Sequence, residues 1–147
     1  MKLDAIDKGC SRCSREEEHG EAFRCYKNTF KFNVTTARAM VADGRDKYLL
    51  DADDVEYSID RAEINEKHVD HVDTSIPGIV CHVFFPTKDG RVVQAQRLID
   101  GHHRAAKCLK MGLPFYAFIL TEEESLAILE RWPAGAKPPE TADCASS

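Results

Sequence analysis

No stretch of the 147-residue chain approaches the roughly 20 consecutive apolar residues that a membrane span requires. The opening segment, MKLDAIDKGCSRCSREEEHG, lacks the apolar core of a secretory signal. Both absences point to a soluble, cytoplasmic chain with no membrane partner. The six cysteines (10, 13, 25, 81, 108 and 144) are then expected as reduced thiols rather than disulfides. Asn33-Val34-Thr35 matches a glycosylation sequon, which has no meaning in such a chain. An excess of positive charge is also missing. Lys and Arg number 20 against 25 Asp and Glu, for a formal net charge of -5. That balance argues against a dedicated duplex-DNA binder, though not against a local basic patch. Direct DNA binding is not expected. There is no internal repeat and no evident carboxylate cluster of the kind a metal-dependent nuclease needs.

The charge that is present is unevenly spread. Asp43 to Asp73 holds eleven acidic and four basic residues, whereas Thr74 to Phe115 holds six basic and two acidic ones. The length suits one compact domain, which would bury roughly 70% of its unfolded surface. Residues 1–40 read as an N-terminal arm or small extension, 41–132 as the main domain, and 133–147 as a tail of disordered composition.

Residues 1 to about 27 are polar, with charges and cysteines interspersed. Phe30, Phe32 and Val34 alternate as in a short strand. TTARAMVADG predicts a short helix, capped by Thr35 or Thr36 and stopped at Gly44. The acidic stretch that follows predicts a strand near Tyr48 to Leu50 and a helix near Glu63 to Val69. PGIVCHVFFP and RVVQAQRLID flank an Asp-Gly turn and predict a β-hairpin from Ile79 to Ile99. HRAAKCLKM predicts a helix with Ala105, Cys108 and Leu109 on one face and Gly112 as its end. LPFYAFIL is a strand. TEEESLAILERW is a helix, with Thr121 and Glu124 as a capping box. The fold class is therefore α+β.

One stretch carries the chemistry. Asp100-Gly101-His102-His103-Arg104 stands where the hairpin hands over to a helix. Gly101 permits positive φ and close approach of a ligand to the backbone. The first N–H groups of the helix point outward, and its dipole adds partial positive charge, which together favour an anion such as phosphate. Arg104 offers a planar fork of donors. His102 and His103 add donors whose charge changes near neutral pH. Asp100 could take a proton from a hydroxyl, hold a magnesium ion or cap the helix. A well-capped surface turn would account for the same residues.

The stretch LIDGHHRAAKCLKMGLPFYAFIL resembles the strand–loop–helix signature of the ParB/sulfiredoxin superfamily. The likeness covers about Ile79 to Leu120 and extends weakly back to Tyr48. It implies a small ParB/sulfiredoxin-like fold: a β-hairpin, a phosphate-binding loop, short helices and a mixed sheet. Sulfiredoxins carry Gly-Cys-His-Arg. Here Gly101, His103 and Arg104 are similar, but His102 stands in place of the nucleophilic cysteine, and Cys108 lies two turns away facing the core. ParB partition proteins carry Gly-Glu-Arg-Arg-x-Arg, of which only Gly101 and Arg104 match. No helix-turn-helix module follows. The Asp-Gly-His-x-Arg branch, which includes free-serine kinases, matches at Asp100, Gly101, His102 and Arg104. This resemblance implies phosphate or nucleotide binding by Gly101, His102, His103 and Arg104, with Asp100 and His102 as the catalytic residues. The implied ligand is a nucleoside triphosphate, ATP or CTP, and the pattern admits Mg2+ with it.

Two readings of function stay open. One is an ATP-dependent phosphotransferase acting on a small hydroxyl-bearing molecule. The other is a non-catalytic nucleotide-binding regulatory module of a DNA-associated system. An enzyme needs a further carboxylate near the phosphates, for which the acidic stretch offers Glu56 and Glu63. Two other clusters stand out. His68, Asp70, His71 and Asp73 lie within six residues, and His68 and His71 share a face if helical. A metal site needs three or four convergent ligands, so polar surface is the preferred account of them, and they could line the same pocket as the loop. Cys10, Cys13, His19 and Cys25 are zinc-type ligands, but their spacing after Cys13 fits no common zinc motif.

Overall fold

A computed structural model describes residues 22–25, 29–62, 64, 66–87, 89 and 91–132. The order of elements is β1 (Ala22–Cys25), β2 (Phe30–Asn33), α1 (Val34–Val41), β3 (Tyr48–Leu49), α2 (Ala52–Asp60), α3 (Glu66–His71), β4 (Gly78–Pro86), β5 (Val92–Asp100), α4 (His102–Met111), β6 (Tyr116–Ile119), α5 (Glu122–Ala127) and β7 (Leu129–Arg131). The class is α+β, with a three-stranded sheet β1-β2-β7 and a four-stranded sheet β3-β6-β4-β5. The larger sheet is mixed, because β4 runs parallel to β6 and antiparallel to β5. No helix among the described residues is long and apolar enough to cross a membrane.

The larger sheet is covered on both faces. Ile79, Cys81, Val83 and Ile99 pack with Phe30, Phe32, Val34, Ala37 and Val41 of β2 and α1, and with Ile128. On the opposite face, Val80, Leu98 and Ala117 pack with Val55 of α2 and with Ala105 and Cys108 of α4. Burial on both faces explains the near-continuous apolar run of β4, where a one-sided strand would alternate. Residues on both sides of position 40 share the first cluster.

The hairpin forms at the expected place, from Gly78 to Asp100. The capping box of α5 is also present, with Thr121 Oγ1 accepting from Glu124 N and Glu124 Oε1 accepting from Thr121 N. Several expectations need correction. Within the stretch read as an arm or small extension, Ala22–Cys25 is a strand paired with β2, which the sequence reading did not identify. The cap of α1 is Asn33, whose Oδ1 accepts from Thr36 N at 2.9 Å, so Val34 opens the helix instead of ending the strand. The helix ends at Val41, three residues before Gly44. The helix expected from Glu63 spans Glu66–His71, and Glu63 lies outside the described residues. Helix α2 was hidden in the acidic stretch. Val55 and Ile59 give it one apolar stripe, and Asp53 and Asp54 complement the dipole at its start. The last helix stops at Ala127. Leu129 then pairs with Phe32 and Arg131 with Lys31, because β2 presents an open edge that a third strand closes. The tail 133–147 lies outside the described residues.

Candidate functional site

The end of β5 is bent by a β-bulge. Val80 pairs with Leu98, but Ile79 pairs with Asp100, which leaves Ile99 as the extra residue. Residues opposite one another in an antiparallel pair project to the same face. Ile79 belongs to the face covered by α1, so Asp100 is turned to that face as well. In an unbroken strand it would follow Leu98 to the α4 face. The bulge thus re-aims a carboxylate at the point where the strand ends.

Asp100 meets Arg38 of α1 there. Arg38 Nε donates to Oδ2 at 2.9 Å and Nη2 to Oδ1 at 2.7 Å, a bidentate pair. Arg104, one helical turn beyond Asp100, folds its side chain back. Its Nη2 donates to Asp100 Oδ2 and to the Pro77 carbonyl, both at 3.4 Å. Asp100 and Arg104 are buried, and the Arg38 side chain is 24% exposed. Burial by itself would raise the pKa of Asp100. The Arg38 hydrogen bonds and the positive charges of Arg104, Arg38 and His102 outweigh it and hold the carboxyl at about 2.

Gly101 caps α4 in the left-handed region, φ 96°. A Cβ there would lie 3.0 Å from Gly78 Cα, so the two glycines let the turn close against the start of β4. The first-turn N–H groups of α4 have no acceptor inside the helix by virtue of their position.

The side chains of the five-residue motif diverge. Asp100 and Arg104 turn toward Arg38. The His102 ring stacks on Phe23 of β1, with centroids 5.2 Å apart and 11° between planes. His103 is buried against His68 of α3, edge to face at 4.6 Å, and His68 in turn meets His71 at 5.2 Å. The histidines of KHVDHVD are therefore brought to the loop. Nearby, Asp73 accepts from the N–H and hydroxyl of Ser75, which lower its pKa along with the charges of Arg104 and Lys107. No group of three His, Cys, Asp or Glu among the described residues is arranged to hold a metal ion. Cys10, Cys13 and His19 lie outside them. Cys25 sits on β1, where burial pushes its thiol up to about 11 despite the opposing charge of Arg97. Cys108 is buried in the second core cluster.

A cavity of about 370 Å³ opens beside Asp100. Arg38, Asp100 and Arg104 form its charged end. Val41, Ile76, Ile79 and Phe118 form its walls, and Ala42 and Ser75 also line it. The residues fit a phosphate group, since donors and guanidinium charge gather at the start of α4. They fit Mg2+ poorly at Asp100, because both carboxylate oxygens are already held by guanidiniums. A magnesium ion here would be held mainly by phosphate oxygens and water.

Sequence reasoning missed Arg38, Phe23 and Ser75 as members of this site, whereas Asp73 belongs to the cluster expected to line the same pocket. Arg38 had a faint signal, as the sole charge in the helix VTTARAMV. Phe23 had none. No family model, curated protein or solved structure matches the chain.

Proposed function

We propose that the chain is a ParB/sulfiredoxin-like domain that binds a nucleoside triphosphate, ATP or CTP, through phosphate at the start of α4. The observation that carries this reading is the convergence of two buried or half-buried arginines, Arg38 and Arg104, on a helix that opens with a left-handed glycine. Backbone donors and guanidinium charge at one helix start suit a phosphate. In this reading Gly101 lets the phosphate approach the backbone. His102 lies over the phosphate with its ring held by Phe23, and His103 is fixed by His68. Asp100 sets the two guanidiniums in place rather than binding the ligand itself.

A phosphotransferase acting on a small hydroxyl-bearing molecule needs a carboxylate to accept the hydroxyl proton. Asp100 is unsuited to that step, with its oxygens engaged and its pKa at about 2. Asp73 is exposed and within the electrostatic reach of Arg104, and although its bonds from Ser75 lower its pKa too, its accessibility makes it the candidate for the base. The engagement of Asp100 also favours the second reading, a regulatory module that binds nucleotide without chemistry.

The test is a thermal-shift screen with ATP, CTP, GTP and pyrophosphate, with and without Mg2+, on wild type, Arg104→Ala and Arg38→Gln. Each protein is compared with its own ligand-free baseline. A triphosphate or pyrophosphate should raise the wild-type midpoint, as expected for a ligand that binds only the folded state. The variants should lose most of that rise. An unresponsive wild type, or variants that respond equally, would end the phosphate reading. Product analysis with labelled ATP, comparing wild type with Asp73→Asn, then separates the enzyme from the binder.

A further inference from the structure

We propose that the outer edge of β5 is a dimerisation surface, on which a second copy of this chain pairs its own β5 antiparallel, with Val93 of both copies at the two-fold axis. Among the described residues β5 pairs only with β4. The two edges of the four-stranded sheet differ. β3 is two residues long, too short a template for a further strand. β5 has nine residues. Its inner end is bent by the bulge at Ile99, and Arg97 there donates to Tyr57 Oη at 2.8 Å. The outer part, Val92 to Gln96, has none of the devices that guard an exposed edge, neither charge nor proline nor bulge. Val92 is 56% exposed and Val93 49%.

The hairpin sets which backbone groups face outward. The Arg91 carbonyl accepts from Thr87 N at 2.8 Å, so the backbone groups of Arg91 face β4. Their direction alternates along a strand. Those of Val93 and Ala95 therefore face β4 too, and those of Val92, Gln94 and Gln96 face outward. Charge then selects the occupant and the register. Two-fold pairing about Gln94 sets Arg91 of each copy directly opposite Arg97 of the other, which like charges oppose. Two-fold pairing about Val93 sets Arg91 opposite Ala95 and Val92 opposite Gln94. It also carries Arg97 toward the other hairpin's tip, where Asp89 accepts from Arg91 Nε at 2.9 Å. That carboxylate then lies between two guanidiniums, so the strip is complementary to itself in charge, as a two-fold contact requires. Each Val92–Gln94 pair exchanges two backbone hydrogen bonds. Such a contact closes on itself, and the short β3 edge offers no continuation, so the product is a dimer and not a fibre. A strip of this length buries less than the ~800 Å² per partner of a standard interface, which makes the dimer a reversible one.

The experiment uses the whole chain. Sedimentation equilibrium up to ~1 mM protein should show reversible dimerisation with a Kd below ~1 mM. Amide exchange followed by NMR should slow at Val92 and Gln94 as the protein concentration rises, and stay constant at Val93 and Ala95, whose N–H groups face β4. Val93→Lys sets two ammonium groups against each other on the axis. It should raise the Kd at least ~10-fold with the melting temperature within ~2 °C of wild type. Val93 pairs with itself across a non-hydrogen-bonded site, where Cα atoms lie about 4.5 Å apart, inside the roughly 4.4–6.8 Å that a disulfide spans. Val93→Cys treated with oxidised glutathione should therefore give a disulfide between the two introduced thiols, identified by peptide mapping. That readout and the wild-type exchange decide the matter even if Val93→Lys does not fold. The proposal is overturned if the chain stays monomeric at ~1 mM, or if folded Val93→Lys dimerises as tightly as wild type. It is also overturned if Gln94→Cys gives the cross-link and Val93→Cys does not. Full protection of Val92 and Gln94 in the dilute monomer would overturn it too, since another segment of the same chain would then cover the edge.

Discussion

Asp100 is buried, ionised and shared between two arginines, and its worth to the fold depends on pH. Its pKa in the folded chain is about 2, against 3.8 for an ordinary aspartate. A depressed carboxyl pKa means that the folded state favours the charged form. The stabilisation is complete above the ordinary value and is lost as pH falls through 3.8 toward 2. That depression corresponds to about 2 kcal/mol. Urea midpoints measured against pH should therefore fall across this range in wild type, and Asp100→Asn should flatten that part of the slope. The same variant should be less stable at pH 7, because it leaves two guanidiniums without their carboxylate. A variant with the wild-type slope would show that another group is linked to folding. Gly78 lies under the same turn. A Cβ at this position would sit 2.7 Å from the Asp100 carbonyl oxygen and 2.7 Å from Phe115 Cζ. Neither neighbour can retreat cheaply, one being backbone and the other a buried ring. Gly78→Ala should cost about 1–3 kcal/mol by overpacking, read from the denaturant midpoint.

Among the elements, α5 shows how a six-residue helix is held. Its start is closed by the Thr121–Glu124 box, and Glu124 also takes two bonds from Arg45, at 2.7 and 2.6 Å. Arg45 is anchored in turn by Asp43 and the Met40 carbonyl, so the loop after α1 is tied to α5. Ser125 is buried, donating to the Thr121 carbonyl and accepting from His82 N of β4. A helix this short gains little from its own backbone and depends on such ties. Thr121→Ala should cost about 1 kcal/mol and lower the melting temperature by roughly 3–6 °C. Glu124 Oε1 serves both Thr121 N and Arg45. The losses from Thr121→Ala and Arg45→Ala should therefore not add, and a double-mutant cycle of melting temperatures measures the coupling. Strict additivity would show that the two ties act independently.

For the whole molecule, the first core cluster runs from Phe30 through Val83 and Ile99 to Ile128. A single cooperative transition is expected, because neither sheet can lose its partner without exposing that cluster. Fluorescence of Trp132, next to β7, should report the same denaturant midpoint as backbone circular dichroism. An earlier Trp132 transition would mark the three-stranded sheet as a separate unit.

What could be read along the chain was set by neighbours in sequence. The Asp-Gly turn and its β-branched flanks fixed the hairpin. Thr121 with Glu124 fixed the start of α5. Gly101 and Gly112 bounded α4, and both take positive φ. The α+β class follows from these local signals. The site was legible only as a motif, because its residues acquire their roles from partners far away in sequence. Asp100 acts with Arg38, 62 residues earlier, and faces it only because a bulge turns the strand end. His103 is set by His68, and His102 by Phe23. β7 exists because β2 has an edge to close, although its own residues read as helix. Local chemistry determined which residues could serve a charged ligand. Tertiary packing decided which of them meet, since a side chain's partner depends on where the rest of the chain has folded.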